Sequence, residues 1–324
     1  MLRADGGGLN THFRNFNQPM GVAVSGDRLA IGTSLEIWEF HNRPAVTWRL
    51  EPPGKHDACF VPRSSLTTGN IQIHEMSWTD VDEPELWFVN TRFSCLCTRD
   101  AVHSFVPRWT PSFVTALVPE DRCHLNGMCV IHDRPAFVTA LGETDTAGGW
   151  RENKRDGGLV IEVATGEVVV RGLSMPHSPR WHNGRLWILE SGRGGLGYID
   201  AATGKYECVA TLPGFTRGLD FIGNLAFVGL SQVRESAVFS GIPIAERPLA
   251  ERVCGVCVVD LRTGQNLAYL KFEDAVQEIF AVQILPNIRF PDLINDNPNL
   301  IADTFVLPDQ ALERVPEQFR SPPP

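Results

Sequence analysis

The chain has 324 residues, of which 43% are hydrophobic and 21% are charged, and its formal net charge is −9 at pH 7. This composition allows a large buried core and excludes a disordered chain, while the acidic balance disfavours nucleic acid or an anionic membrane surface as a partner. No apolar run approaches the roughly 20 residues that cross a bilayer, and no signal-peptide-like segment follows the N-terminus. The eight cysteines lie mostly in apolar, strand-like segments, so we expect a reduced, cytoplasmic chain with buried thiols.

The same local pattern recurs along the chain: a polar cluster, a short apolar strand, a tight turn and a second apolar strand. Its clearest copy spans residues 175–200, where Asn183-Gly184 separates two apolar runs and both residues tolerate the positive φ of a hairpin turn. The six copies, of which the last is incomplete, begin near residues 18, 73, 124, 175, 216 and 276. This spacing of about fifty residues is typical of a repeated structural unit.

Outer strands with a hairpin signature of their own lie between these copies. Three similar segments begin at residues 158, 195 and 255, and they carry the turns Thr165-Gly166, Thr203-Gly204 and Thr263-Gly264. Helix-period segments of about ten or more residues are absent from the sequence. A repeated unit of four strands predicts an all-β fold, a closed six-bladed β-propeller with four-stranded antiparallel blades around a central channel.

The ends of the chain have separate roles in this interpretation. Residues 1–290 form a single six-bladed propeller domain, and the residues before Gln18 supply an outer strand to the last blade, so that the ring has no open sheet edge. Residues 291–324 are rich in proline and asparagine, and we expect them to form an irregular C-terminal tail.

Polar residues collect at one face of the predicted propeller. The starts of the innermost strands and the ends of the second strands share that face around the channel, whereas the turns between these strands lie on the opposite face. Binding groups commonly lie at strand ends and loops of a rigid scaffold, so we predict a functional site at this mouth. The polar residues at the mouth are His74, Glu75, Asn90, Arg92, His124, Asn126, Glu143, His177, Arg180, Glu190, Arg193, Arg217, Gln232, Arg234, Glu235, Gln277 and Glu278.

Two chemistries fit these residues, and the first is a metal site near the channel axis. His74, His124 and His177 would supply imidazole ligands from three blades, and Glu75 or Glu278 would supply a carboxylate. Three histidines with an open coordination position suit a divalent transition metal that polarises a substrate oxygen or activates water. This alternative predicts a metal-assisted lyase, isomerase or hydrolase.

The second chemistry is metal-free recognition of a small, polar, anionic substrate. A guanidinium pairs bidentately with carboxylate, phosphate or sulfate, so arginines at the mouth would hold the substrate. Glu75, Glu278 or His177 would then act as the catalytic base. The substrate-binding candidates are Asn90, Arg92, Asn126, Arg180, Glu190, Arg193, Arg217 and Gln277.

Structural roles are the alternative for the same residues. A histidine at the start of an inner strand often hydrogen-bonds neighbouring blades together, and arginine and glutamate at a mouth often pair with each other. On that interpretation the protein is a non-catalytic propeller that binds a ligand or a protein partner. Trp109, Trp150 and Trp181 lie in or beside mouth loops, where an indole could stack on a ligand.

Several of these segments together resemble an uncharacterised bacterial family of six-bladed propeller-like proteins. The segments that carry the resemblance are His56-Asp-Ala58, Ile73-His-Glu-Met76, the run from Leu86 to Leu96, His124-Leu-Asn-Gly-Met128, Met175-Pro-His-Ser-Pro-Arg180, the run from Leu186 to Gly192, and Gly218-Leu-Asp220. They cover residues 10–290, which is nearly the whole chain. The resemblance implies the propeller fold and does not imply an activity.

Overall fold

The computed structural model describes residues 1–233, 240–273 and 276–320 of the chain. Nearly all regular structure in this part is β-strand, as predicted for an all-β protein. Arg234 and Glu235, which the sequence analysis places at the mouth, lie outside the described residues.

The chain begins with a hairpin and continues with units of four antiparallel strands. The hairpin consists of β1 (Leu2–Asp5) and β2 (Gly8–Thr11). The first blade contains β3 (Gly21–Ser25), β4 (Arg28–Gly32), β5 (Glu36–Asn42) and β6 (Ala58–Thr67). The second contains β7 (Ile73–Trp78), β8 (Leu86–Asn90), β9 (Cys95–Thr98) and β10 (Val106–Trp109). The third contains β11 (Leu125–Ile131), β12 (Arg134–Ala140), β13 (Gly158–Glu162) and β14 (Val168–Leu173).

Two further blades complete the arrangement in the described residues. The fourth contains β15 (Pro176–His182), β16 (Arg185–Glu190), β17 (Gly195–Asp200) and β18 (Lys205–Thr211). The fifth contains β19 (Phe215–Ile222), β20 (Leu225–Ser231), β21 (Cys254–Asp260) and β22 (Asn266–Phe272). The predicted hairpin turn joins β15 to β16, with positive φ at Asn183 (49°) and Gly184 (74°). The first strands of neighbouring blades contact each other, so they line the central channel.

The core lies between neighbouring blades rather than within one of them. Strand β16 is an example: its sequence is an almost continuous apolar run because neighbouring blades cover both of its faces. Ile188 packs towards the third blade and Leu189 towards the fifth, and both are fully buried. All eight cysteines are free, and seven of them are buried, which agrees with the predicted buried thiols.

The prediction of six blades is wrong, because the described residues form five. The sixth position, between β19 and β3, is occupied by residues 276–288, here called the closing segment, which contain no strand. The amide of Ile279 donates to Ser231 Oγ (2.9 Å), and the amide of Ile284 donates to Asp220 Oδ2 (2.7 Å). The sixth copy of the repeat starts as predicted, but Pro286 follows soon after and β-structure resumes at residue 291. The roughly ten residues between Val276 and Pro286 are too few to form four strands of typical length.

The ring is also not closed by strand pairing between the first and last blades in the part of the chain that the structure describes. Strands β1 and β2 pair only with each other, so the predicted outer strand for the last blade is not formed. The hairpin instead contacts the residue that directly follows the closing segment, since the amide of Ala4 donates to the carbonyl of Arg289 (2.9 Å).

The predicted C-terminal tail begins with a strand. β23 (Pro291–Leu293) adds in parallel to β6 and makes the first sheet five-stranded. Two short helices follow, α1 (Pro298–Ala302) and α2 (Asp309–Leu312). Among the described residues, no helix has the length and apolar character needed to cross a membrane.

Candidate functional site

Four of the five innermost strands are irregular at one position along the channel. The pairing register shifts between Ile73 and Met76 in β7, between Leu125 and Gly127 in β11, between His177 and Arg180 in β15, and between Thr216 and Leu219 in β19. Strand β3 pairs with β4 without a shift. A β-bulge redirects the side chains it contains, and bulges are frequent beside active sites. The residues at these shifts therefore turn towards the channel axis.

The redirected side chains surround a narrow cavity, here called the axial cavity. Its volume is about 10 Å³, which is room for about one water molecule. The lining comprises Val22, His74, Glu75, Asn126, His177, Ser178, Arg217, Phe280 and Ala281. The structure thus brings together five predicted site residues from four blades, together with two residues of the closing segment.

Two hydrogen-bond partners at Nδ1 fix the orientation of the His74 ring. Its Nδ1 lies 2.9 Å from the carbonyl oxygen of Gln72 and 2.8 Å from Thr91 Oγ1. The Thr91 hydroxyl donates its own proton to the carbonyl of Leu125 (2.6 Å), so it can only accept from His74. This network assigns the proton of the neutral imidazole to Nδ1 and leaves a lone pair on Nε2.

His177 repeats this arrangement in the fourth blade. Its Nδ1 lies 2.9 Å from the carbonyl oxygen of Met175 and 3.0 Å from Ser191 Oγ. The Ser191 hydroxyl donates to the carbonyl of Thr216 at 2.5 Å, so it too accepts from the imidazole. Nε2 of His177 again carries the lone pair, and it makes no hydrogen bond to any residue that the structure describes.

Both imidazoles are neutral near pH 7. Burial lowers the pKa of His74 well below its usual value, and the nearby charge of Arg217 lowers it further. The same two causes, in the same order, lower the pKa of His177. A neutral imidazole with a free Nε2 can accept a proton or bind a metal ion.

His124 lies beside His74 and outside the lining of the axial cavity. The two rings meet edge to face with centroids 4.8 Å apart, and the His124 ring also lies 4.4 Å from that of Trp150. His124 Nδ1 lies 3.0 Å from the Asp121 carboxylate, which also accepts from Trp150 Nε1 (3.0 Å). Asp121 therefore fixes this third imidazole in the same tautomer.

Arg217 is the cation of the axial cavity. Its guanidinium lies over the Phe280 ring with Cζ 4.1 Å from the centroid. Burial lowers the pKa of Arg217 to about 10, and the carboxylates of Glu278 and Glu75 partly oppose this shift. Among the described residues neither carboxylate is close enough for an ion pair, and no hydrogen bond to the Arg217 side chain is present. The Arg217 guanidinium is therefore able to bind an anion.

Glu75 and Arg180, by contrast, satisfy each other. Glu75 Oε1 pairs with Arg180, and Glu75 Oε2 accepts from the amide of Met128 (3.1 Å). Arg180 also donates to the carbonyl of Pro179 (2.9 Å). Burial by itself lowers the pKa of Arg180, but the Glu75 carboxylate outweighs it and the pKa is raised. The two partners line different cavities: Glu75 lines the axial cavity, and Arg180 lines a second cavity together with Trp181.

Asn126 lines the axial cavity with its amide already engaged. Its Nδ2 donates to the carbonyl of Pro176 (3.0 Å), and its Oδ1 accepts from Thr139 (2.7 Å). The side chain therefore ties the third blade to the fourth, which is the structural role weighed in the sequence analysis.

The remaining predicted residues are not in the lining of the axial cavity. Buried Asn90 accepts from the amide of Phe93 in a turn, and Arg92 donates to the carbonyl of Asn70. Glu190 accepts from the amide of Ser174, and burial raises its pKa. Arg193 forms ion pairs with Asp156 and Glu190, and Glu143 forms one with Arg171. The side chains of Gln277 and Glu278 are exposed.

Sequence reasoning missed the residues that hold the imidazoles. Thr91 and Ser191 each follow directly on the second strand of a blade, after Asn90 and Glu190. A small hydroxyl residue at the same structural position in two repeats is a signal that the sequence contains. Asp121 precedes His124 by one short loop and offered a weaker signal.

The predicted metal ligands do not form a complete ligand set. Among the described residues, no group of three or more His, Cys, Asp or Glu side chains is placed to hold a metal ion. The rings of His74 and His124 are in contact, but His124 is not in the lining of the axial cavity. His177 lines that cavity from the fourth blade, and Arg217 lines it from the fifth.

Comparison with known proteins gives a family and no activity. A family model described as "Domain of unknown function (DUF4915)" matches residues 1–294. A search of curated proteins found no match.

Several solved structures resemble the chain at low identity. They include the computationally designed protein Ika8 (12% identity, TM-score 0.38, 83% of this chain and 66% of that chain). Regucalcin from Agrobacterium tumefaciens, described as calcium-binding, shows 14% identity and a TM-score of 0.46, over 78% of this chain and 73% of that one. Virginiamycin B lyase from Staphylococcus aureus shows 12% identity and a TM-score of 0.40, over 85% and 73%. The chain therefore spans just under two thirds of the designed protein's length and more of the other two.

Proposed function

The chain belongs to the DUF4915 family, and we propose that it is an enzyme that binds a small polar anion in the axial cavity and removes a proton from it. One observation carries the proposal: the Arg217 guanidinium, which no described residue pairs, lines the same cavity as two neutral imidazoles whose Nε2 atoms bear lone pairs. A guanidinium is suited to a carboxylate, phosphate or sulfate group. A fixed imidazole lone pair is suited to general base catalysis.

His177 is the proposed base, because His74 is also in contact with the His124 ring. The substrate's C–H proton is transferred to Nε2 of His177, and the electron pair stays on the substrate as a carbanion or enolate. An imidazolium beside Arg217 would be unfavourable in the empty cavity, since like charges repel. A bound anion offsets the Arg217 charge and makes the protonated imidazole accessible. The reaction class is therefore a lyase or an isomerase acting on an anionic substrate.

The cavity has to widen before a substrate larger than a single group can enter. Phe280, in the closing segment, covers Arg217 and is only partly buried. The contact between Arg217 and the ring is worth about 1 kcal/mol, which an anion bound to the guanidinium can replace. We propose that Phe280 moves away from Arg217 when substrate binds.

Proton abstraction can be tested without knowing the product. Candidate small carboxylates, with malonate and succinate as first probes, are incubated with the protein in D2O and examined by mass spectrometry for deuterium at carbon. We expect exchange with the wild type and at least a hundredfold less with His177→Gln. Arg134→Gln, at an exposed turn on the opposite face, is the matched control and should exchange as the wild type does. Binding of these anions without exchange would instead indicate the non-catalytic ligand-binding propeller.

A metal-dependent reaction is the second candidate, and the tautomers of the histidines favour it. Ligand histidines usually donate Nδ1–H to a carbonyl or carboxylate, as His74, His124 and His177 do. The positive charge of Arg217 opposes a cation in the same cavity. Metal analysis of protein purified without an affinity tag separates the two candidates. About one equivalent of a transition metal in the wild type, lost in His124→Ala, would favour the metal site, and no retained metal would favour the metal-free base.

A further inference from the structure

A further and larger cavity lies on the face of the fifth blade that borders the sixth position of the ring. Its volume is about 470 Å³, which is within the range of small-molecule sites. Three parts of the chain form its walls: the face of strands β20 to β22, the closing segment, and the hairpin β1–β2. In a complete ring, another blade would cover this face of the fifth blade.

The described lining residues are mostly apolar, and one charged side chain is among them. Val256, Val258, Leu270 and Leu285 are among the apolar members, and the charged one is Arg289, which directly follows the closing segment. The backbone amide of Arg289 donates to Asp57 Oδ2 (2.7 Å). Its guanidinium forms no ion pair or hydrogen bond with any residue in the described ranges. Met1 also lines the cavity, but its N-terminal ammonium donates to the carbonyl of His12 (2.6 Å). The cavity therefore combines an apolar surface with one cationic side chain that no described residue pairs.

We propose that this cavity binds a free medium-chain carboxylate, with the hydrocarbon chain against the fifth blade and the carboxylate on Arg289. The shape favours a small molecule over a second protein, because three walls of the same chain enclose the space and its volume is that of a ligand site. One cation calls for one anionic group, and a guanidinium binds a carboxylate bidentately. The site shares no lining residue with the axial cavity, and the proposal does not rest on the reaction proposed there.

Affinity is expected to depend on chain length and on the head group. Each methylene that becomes buried should strengthen binding about fourfold, the ratio that corresponds to about 0.8 kcal/mol. Hexanoate, octanoate and decanoate should therefore bind with steadily increasing affinity. Decanol buries the same chain without the carboxylate and should bind at least tenfold more weakly than decanoate.

Isothermal titration of the full chain, below the concentrations at which decanoate forms micelles, tests the proposal. Arg289→Gln should weaken decanoate about tenfold and leave decanol unchanged, whereas the exposed control Arg314→Gln should change neither. Ala268→Trp places an indole in the cavity and should abolish binding of both, while circular dichroism reports an intact fold.

Three outcomes would overturn the proposal. The first is no decanoate binding by the folded wild type, and the second is decanoate binding that Arg289→Gln and Ala268→Trp leave unchanged. The third is a stable dimer in sedimentation experiments that Ala268→Trp dissociates, because a second copy of the chain would then be the occupant.

Discussion

Arg180 and Arg217 lie on the inner strands of adjacent blades, β15 and β19, yet their surroundings differ. Arg180 pairs with Glu75 and donates to two backbone carbonyls. The guanidinium of Arg217 lies over the Phe280 ring and forms no ion pair or hydrogen bond with a described residue. The pKa of Arg180 is raised and that of Arg217 is lowered to about 10. A positive charge at the channel therefore does not by itself identify a binding residue. What distinguishes the two is whether the protein already neutralises the charge.

The largest expected effect is on stability and concerns Arg180. Arg180→Gln leaves the largely buried Glu75 carboxylate without its partner and should reduce the free energy of unfolding by about 3 kcal/mol. Arg217→Gln removes a partly desolvated cation that no described residue pairs, and it should change that free energy by less than about 1 kcal/mol or raise it. Denaturant unfolding of both variants measures the difference. Equal destabilisation would contradict the distinction between the two arginines.

The second effect is on anion binding and concerns Arg217. Arg217→Gln removes a charged hydrogen-bond donor that contributes about 2 kcal/mol to anion binding. The affinity for the anion that binds the wild type best should therefore fall about thirtyfold in this variant. Titration calorimetry at constant ionic strength measures it, with Arg134→Gln as the control. An unchanged affinity in Arg217→Gln would place the anion elsewhere.

The third effect is on the pH dependence of stability and concerns His177. The unfolded chain protonates this histidine below about pH 6.5, but its pKa is lowered in the folded state, so the unfolded state binds more protons there. Stability should therefore be unaffected above about pH 6.5 and should fall below it by about 1.4 kcal/mol per pH unit for this residue. His177→Gln should show a correspondingly shallower decline between pH 6.5 and 5.5. Identical slopes would mean that His177 titrates normally in the folded protein.

The smallest effect concerns the hydroxyl groups that hold the imidazoles. Ser191→Ala removes one acceptor from His177 Nδ1 and should reduce the free energy of unfolding by about 1 kcal/mol. It should also lower the rate of deuterium exchange more than it lowers anion affinity, because the base loses orientation while Arg217 is unchanged. Ser191→Thr keeps the hydroxyl and should restore the exchange rate. Failure of threonine to restore it would indicate a role in packing alone.

The sequence predicts most of the fold because the repeat is visible in it. The Thr-Gly turns and the polar starts of the inner strands identified five real blades, including the hairpin at Asn183-Gly184. The sixth was wrong because the start of a repeat at Val276 does not guarantee the strands that should follow, and Pro286 interrupts that stretch. A chain-order count of starts therefore overestimates the number of blades.

The candidate site was only partly predictable. His74, His177 and Arg217 were found because they lie near the starts of the innermost strands of the second, fourth and fifth blades. The difference between the paired Arg180 and Arg217 was not predicted, because it depends on Glu75, which lies two blades away from Arg180. The β-bulges were also invisible, because a register shift is a property of the paired strands and leaves no distinct pattern in either sequence.

Nitrogen-15 NMR of the imidazole rings tests the central claim most directly, with His74 and His177 assigned from their Gln variants. Without ligand at pH 7, both rings should carry their proton on Nδ1 and none on Nε2. Adding an anion that binds at Arg217, or replacing Arg217 with Gln, should raise the pKa of both histidines, because each change offsets or removes the charge that lowers it. Rings protonated on Nε2, or titrations that neither change shifts, would contradict the account.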